Sequence, residues 1–87
     1  MLRSEYLSQE LTEALPTKGG GLLRTIQDAH DYSLALPPQR AMRKHWRDAW
    51  QLILEEAEAA EVSEQIELAL FLDDELDLDR LSGARQS

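Results

Sequence analysis

SEYLSQELTEALPTKGGG, residues 4–21, decides how the rest of the chain is read. Leu7, Leu11, Ala14 and Leu15 recur at three- and four-residue spacing. That spacing predicts an amphipathic helix, with Ser4 as its N-cap. Pro16 stops the helix, and residues 17–21, ending in Gly19, Gly20 and Gly21, read as a flexible joint. A glycine run invites comparison with a phosphate loop. No strand is expected before it and no Lys-Ser/Thr pair follows it, so a linker is the reading.

With a helix at the start, the remainder continues in kind. β-branched residues are scarce, and Leu, Ala, Glu, Gln and Arg dominate. In the second segment Leu22, Ile26, Ala29 and Ser33 share one side, with Leu23, Tyr32 and Leu36 at its edges. Pro37 and Pro38 end it, because a residue before proline is pushed out of helical geometry. Pro38 then suits the first turn of a third helix, where no amide donor is needed. From Pro38 to Glu61, Met42, Trp46, Ala49, Trp50, Ile53, Ala57 and Ala60 gather on one face. Val62-Ser63 reads as a break, with Ser63 capping a fourth helix and Glu64 in its first turn. That helix carries the apolar run LALFL, 68–72, and Arg80 and Gly83 mark a C-terminal stop. The expectation is one all-α domain spanning 1–87, a small bundle of three to four helices. The long third helix is its spine, 82–87 is its tail, and dimerisation is an open option.

The bulk numbers bound the function. Eighty-seven residues make one domain. A chain this short buries only about 60% of its unfolded surface, so its core is small. Hydrophobic residues at 43% and charged residues at 30% fit a globular rather than a disordered chain. Cysteine is absent, which removes disulfides and thiolate metal sites. MLRSEYLSQE has no apolar run of the signal-peptide kind, and no stretch approaches the roughly 20 apolar residues of a membrane span. A cytoplasmic location is the expectation.

The net charge of −8 is unevenly placed. Residues 55–87 carry eleven acidic and two basic side chains, while 22–54 carry five basic and three acidic. Arg40, Arg43, Lys44 and Arg47 form one face of the expected third helix, which continues into Gln51, Leu54, Glu58 and Glu61. A helix dipole favours acids first and bases last, by about 0.3–1 kcal/mol per charge. The order here is reversed. Something of opposite polarity should therefore lie alongside. One candidate is a second copy, antiparallel, in a two-fold interface. The other is the acidic fourth segment, folding back over the basic half; no specific pairing is the third reading.

Trp46 and Trp50 lie opposite the basic face, which makes them core residues rather than a platform for bases. His30 and His45, with Asp28 and Asp31, are a weak metal signal without cysteine. Asp73, Glu75, Asp77 and Asp79 imitate the start of a calcium loop. The loop fails at its sixth position, Leu78, and at its twelfth, Ala84. No nucleophile–histidine pair or metalloprotease motif occurs, so no catalytic residue and no cofactor are expected. What remains is a non-enzymatic protein–protein interaction module, with an unidentified protein or a second copy as partner. Its contact residues are Leu68, Leu70, Phe71 and Leu72, with Arg43, Arg47, Glu58 and Glu61 from the charged face. The rival is a nucleic-acid-binding regulator using Gln39, Arg40, Arg43, Lys44 and Arg47, a helix-turn-helix-like placement. The net acidity argues against that rival, because it repels phosphate at long range.

Overall fold

The computed structural model describes residues 2–81, and the expected tail, 82–87, lies outside the described residues. In chain order the elements are α1 (Ser4–Leu7), β1 (Glu10–Pro16), β2 (Leu22–Thr25), α2 (Ile26–Leu34), α3 (Pro38–Ala41), α4 (Lys44–Leu54) and α5 (Ala59–Leu72). A further helical turn occupies 78–81. β1 and β2 pair antiparallel, so the fold is α+β and the expected all-α helical bundle is corrected.

The correction starts at Leu11 and Leu15. A separation of four places two residues on one face of a helix, and equally on one face of a strand. Here both are buried, while Thr12 and Ala14 between them are exposed, as in a half-covered strand. The glycine run makes the turn between the strands. The Thr17 N–H donates to the Gly21 carbonyl at 3.0 Å, and the Gly20 N–H to the Thr17 carbonyl at 3.0 Å. Gly20 sits at φ 94°, where a Cβ is disfavoured.

The hairpin register is irregular. Glu10 pairs with Thr25 and Leu15 with Leu23, so residues 11–14 stand opposite Arg24 alone. β1 departs from the β2 ladder there, and its Thr12 N–H donates instead to Ser63 Oγ at 2.8 Å. Ser63 is therefore buried within α5 and ties down the strand, rather than capping a helix. Thr25 ends β2 and caps α2. The Asp28 N–H reaches Thr25 Oγ1 at 3.1 Å, while Asp28 Oδ2 accepts from the Thr25 N–H at 3.2 Å. This reciprocal box satisfies two donors that a helix start leaves open. Ile26, Ala29 and Ser33 are the buried face of α2, as their spacing requires.

The expected long third helix is broken twice. Arg43 takes an extended backbone between α3 and α4. After Leu54, Glu56 turns left-handed at φ 53°. There the Ala57 N–H donates to the Leu52 carbonyl at 2.9 Å and the Glu56 N–H to the Ile53 carbonyl at 3.0 Å. Those two bonds are a Schellman stop, with glutamate where glycine is usual. α5 ends in the same way. The Glu75 N–H bonds the Leu70 carbonyl at 2.8 Å, the Asp74 N–H bonds the Phe71 carbonyl at 3.0 Å, and Asp74 has φ 58°.

The spine is consequently α5, which touches β1 on one side and α4 and α2 on others. Around it Leu15, Ile26, Trp46, Ile53, Ile66 and Leu70 are fully enclosed. Beyond α5 the chain runs back along β1. Leu76 bridges to Thr17, the Lys18 N–H bonds the Glu75 carbonyl at 2.9 Å, and the Asp77 N–H bonds the Pro16 carbonyl at 3.0 Å. Among the described residues no helix is long and apolar enough to cross a membrane.

Candidate partner-binding surface

Two features stand out around α5: a charged hub at its C-terminal end and an apolar groove on its outer side. The hub centres on Asp73, whose side chain is fully enclosed. Oδ2 accepts from Arg40 Nε and Trp46 Nε1, each at 2.7 Å. Oδ1 accepts from Arg43 Nη1 at 2.7 Å and lies 2.7 Å from His45 Nε2. Arg40 also donates to the Tyr32 hydroxyl at 3.2 Å. Burial alone would push the Asp73 carboxyl upward. The hydrogen bonds from Trp46, Arg40, Arg43 and His45 outweigh it and hold the group well below the usual carboxylate range.

This hub accounts for part of the basic face. Arg40 and Arg43 meet at one buried carboxylate of the acidic segment, an intrachain pairing. Lys44 pairs with Asp48 at 2.7 Å across one exposed helical turn. Gln39 and Arg47 are exposed. Glu58 and Glu61 are not at the end of a basic helix. Glu58 is the N-cap of α5 and Glu61 lies in its first turn, where the helix dipole favours acids. The break at 55–58 therefore removes Glu58 and Glu61 from the expected back-to-front order, while α4 still begins at Arg43 and Lys44 and runs into Glu55. Trp46 is core, while Trp50 is half-buried and lies against His30, with ring centroids 5.7 Å apart and planes tilted by 43°. Among the described residues no cluster of His, Asp and Glu is arranged to hold a metal ion.

The apolar run 68–72 divides. Leu70 is fully buried and belongs to the core, not to a contact surface. Leu68, Phe71 and Leu72 stay 47%, 56% and 55% exposed, and Leu78 from the following segment is 51% exposed. Glu64, Glu67, Leu68, Phe71, Leu76 and Leu78 line a groove of about 400 Å³. Leu76, at 3% exposure, is its floor. Glu64, Glu67, Leu68 and Phe71 fall at i, i+3, i+4 and i+7 along the outer ridge of α5.

Leu68 and Phe71 are among the expected contact residues, whereas Leu76, Leu78, Glu64 and Glu67 are not. The signal for Leu76 and Leu78 was the L-D-L spacing of residues 76–78. It becomes a wall only because the Asp74 turn and the Leu76–Thr17 bridge bring that segment back beside α5. Comparison of the chain with protein-family models, with curated proteins and with solved structures finds no match.

Proposed function

We propose that the chain is a cytoplasmic, non-enzymatic protein–protein interaction module that receives a segment of a partner protein in the groove beside α5. The observation that carries this reading is the cluster of half-exposed Leu68, Phe71 and Leu78 over the buried floor of Leu76. Single exposed leucines are ordinary on a small protein. A contiguous apolar cluster with a polar rim is the mark of an interaction surface. The rim is supplied by Glu64 and Glu67.

The test is site-specific photo-crosslinking in the native host. A photo-reactive side chain in place of Leu68 should give one discrete product with a second protein, and the same group in place of Arg47 should not. No product from position 68, or equal products from both, contradicts the reading. A product of twice the chain's own mass identifies the occupant as a second copy instead.

The nucleic-acid alternative has less support. Asp73 engages Arg40 and Arg43, and Asp48 engages Lys44, so these cations face phosphate already partly compensated. Duplex titration at low salt should show no binding. A complex that weakens steeply with added salt would reinstate this alternative.

A further inference from the structure

We propose that the occupant of the α5 groove is an amphipathic helix whose apolar anchors are flanked by lysine or arginine. This rests on the docking reading above and adds the chemistry of the partner. Three observations on the groove lead to it.

The first is charge. Among the described residues the groove is lined by four apolar side chains and the carboxylates of Glu64 and Glu67, with no cation. Asp77 and Asp79 follow in the same wall, and no lysine or arginine occurs between Arg47 and Arg80. Of the basic side chains in the neighbouring segments, Lys18 is paired with Asp74, and Arg40 and Arg43 are directed at Asp73, which sets the charge of Arg80 against those of Glu64, Asp77 and Asp79. An acidic rim around an apolar floor favours cationic groups beside apolar anchors and repels acidic ones, because complementary potentials select partners. The net charge of −8 steers in the same sense.

The second is the backbone. An extended peptide would need an open strand edge to bind by strand addition. α5 satisfies its own amides internally. In the opposite wall the Glu75 N–H bonds Leu70 and its carbonyl accepts from Lys18. The Asp77 N–H bonds Pro16 and its carbonyl accepts from Leu81. Only Leu76, a single residue, remains between them, which is too short an edge to template a strand. Docking must therefore be side chain against side chain, the mode of a helix laid in a groove.

The third is length. Glu64 to Phe71 is seven residues of helix, about 10 Å of ridge at 1.5 Å per residue. A helix of two to three turns matches that span and presents its anchors at i, i+4 and i+7.

The test uses the full chain and three synthetic helical peptides with one shared leucine face. Their flanks carry Lys and Arg, Gln and Ser, or Glu and Asp. Binding is read by fluorescence anisotropy, and its place by amide shifts at Leu68 and Phe71. The basic-flanked peptide should bind, the neutral one more weakly, and the acidic one not measurably. Phe71→Glu should abolish the binding. Glu64→Lys should weaken it by roughly three- to tenfold, the effect of reversing one rim charge. Both positions are exposed, and circular dichroism is the check that each variant folds.

Equal binding of all three peptides overturns the charge inference while the docking reading stands. Binding that Phe71→Glu leaves unchanged places the peptide elsewhere and overturns it too. If no peptide binds, the inference falls, and crosslinking from position 68 decides separately whether docking survives. A chain that sediments as a dimer, and becomes monomeric on Phe71→Glu, shows a second copy in the groove and overturns it.

Discussion

Asp73 shows how much one side chain can organise in a small protein. Its carboxylate collects donors from Arg40, Arg43 and Trp46 and contacts His45, so it holds the α3–α4 region against the end of α5. A buried charge is tolerated only when paired and hydrogen-bonded, and removing one partner leaves the others uncompensated. Asp73→Asn should destabilise the protein by about 3 kcal/mol in urea denaturation. That is the low end of the range for breaking a buried pair, because Arg43 is half exposed and retains water. The pH dependence has a definite sign. A carboxyl whose folded pKa is depressed contributes fully above its unfolded value of about 3.9, and the contribution is lost as pH falls through the folded value. The stability gap between the native chain and Asp73→Asn should hold at neutral pH and shrink below about pH 4. A gap independent of pH would remove the electrostatic role. That acidic residues of the last third meet the basic stretch was legible from their charges. Which of the five acids between 73 and 79 does so was not, because the answer depends on where α5 ends.

At the level of elements, the two helix stops explain most of what periodicity missed. α4 and α5 end at Glu56 and Asp74 in left-handed conformations without glycine. A helix end marked by glycine, proline or asparagine can be read from sequence, and one marked by glutamate cannot. Residues 38–61 therefore looked continuous. The hairpin was hidden for another reason: Leu11 and Leu15 satisfy both periods at once, and the departure of β1 from the ladder at 11–14 breaks the strict alternation of a strand. The glycine run and the Thr25–Asp28 capping box were local signals of a turn and of a helix start at residue 26. Relieving the left-handed strain by Asp74→Gly should raise stability by about 0.5–1 kcal/mol. The lost Lys18–Asp74 pair is exposed and contributes little. A lower melting temperature for this variant would mean that the pair matters more than the backbone. Thr25→Ala, which removes half of the capping box, should cost about 1 kcal/mol in the same assay.

For the whole molecule, the break between α4 and α5 changes the meaning of the charge pattern. The acids at 58 and 61 start a helix instead of ending one, so no second copy is required to compensate them. What remains unpartnered is apolar: Leu68, Phe71 and Leu78 over Leu76, beside the acids of α5. The apolar excess of residues 68–72 was legible in the sequence. Its division was not, because only the tertiary placement of β1 and α4 decides that Leu70 faces inward and Phe71 outward. Leu70→Ala should cost about 2–5 kcal/mol, as expected for a fully buried leucine. Phe71→Glu, at an exposed position, should stay within about 0.5 kcal/mol of the native chain.

The most direct measurement follows Phe71→Glu for stability and for partner crosslinking from position 68 in parallel. The expected result is an unchanged unfolding midpoint with the crosslink lost, which makes Phe71 a contact residue and not a core one. An unfolding midpoint that drops as far as it does for Leu70→Ala, or a crosslink that persists, would contradict it.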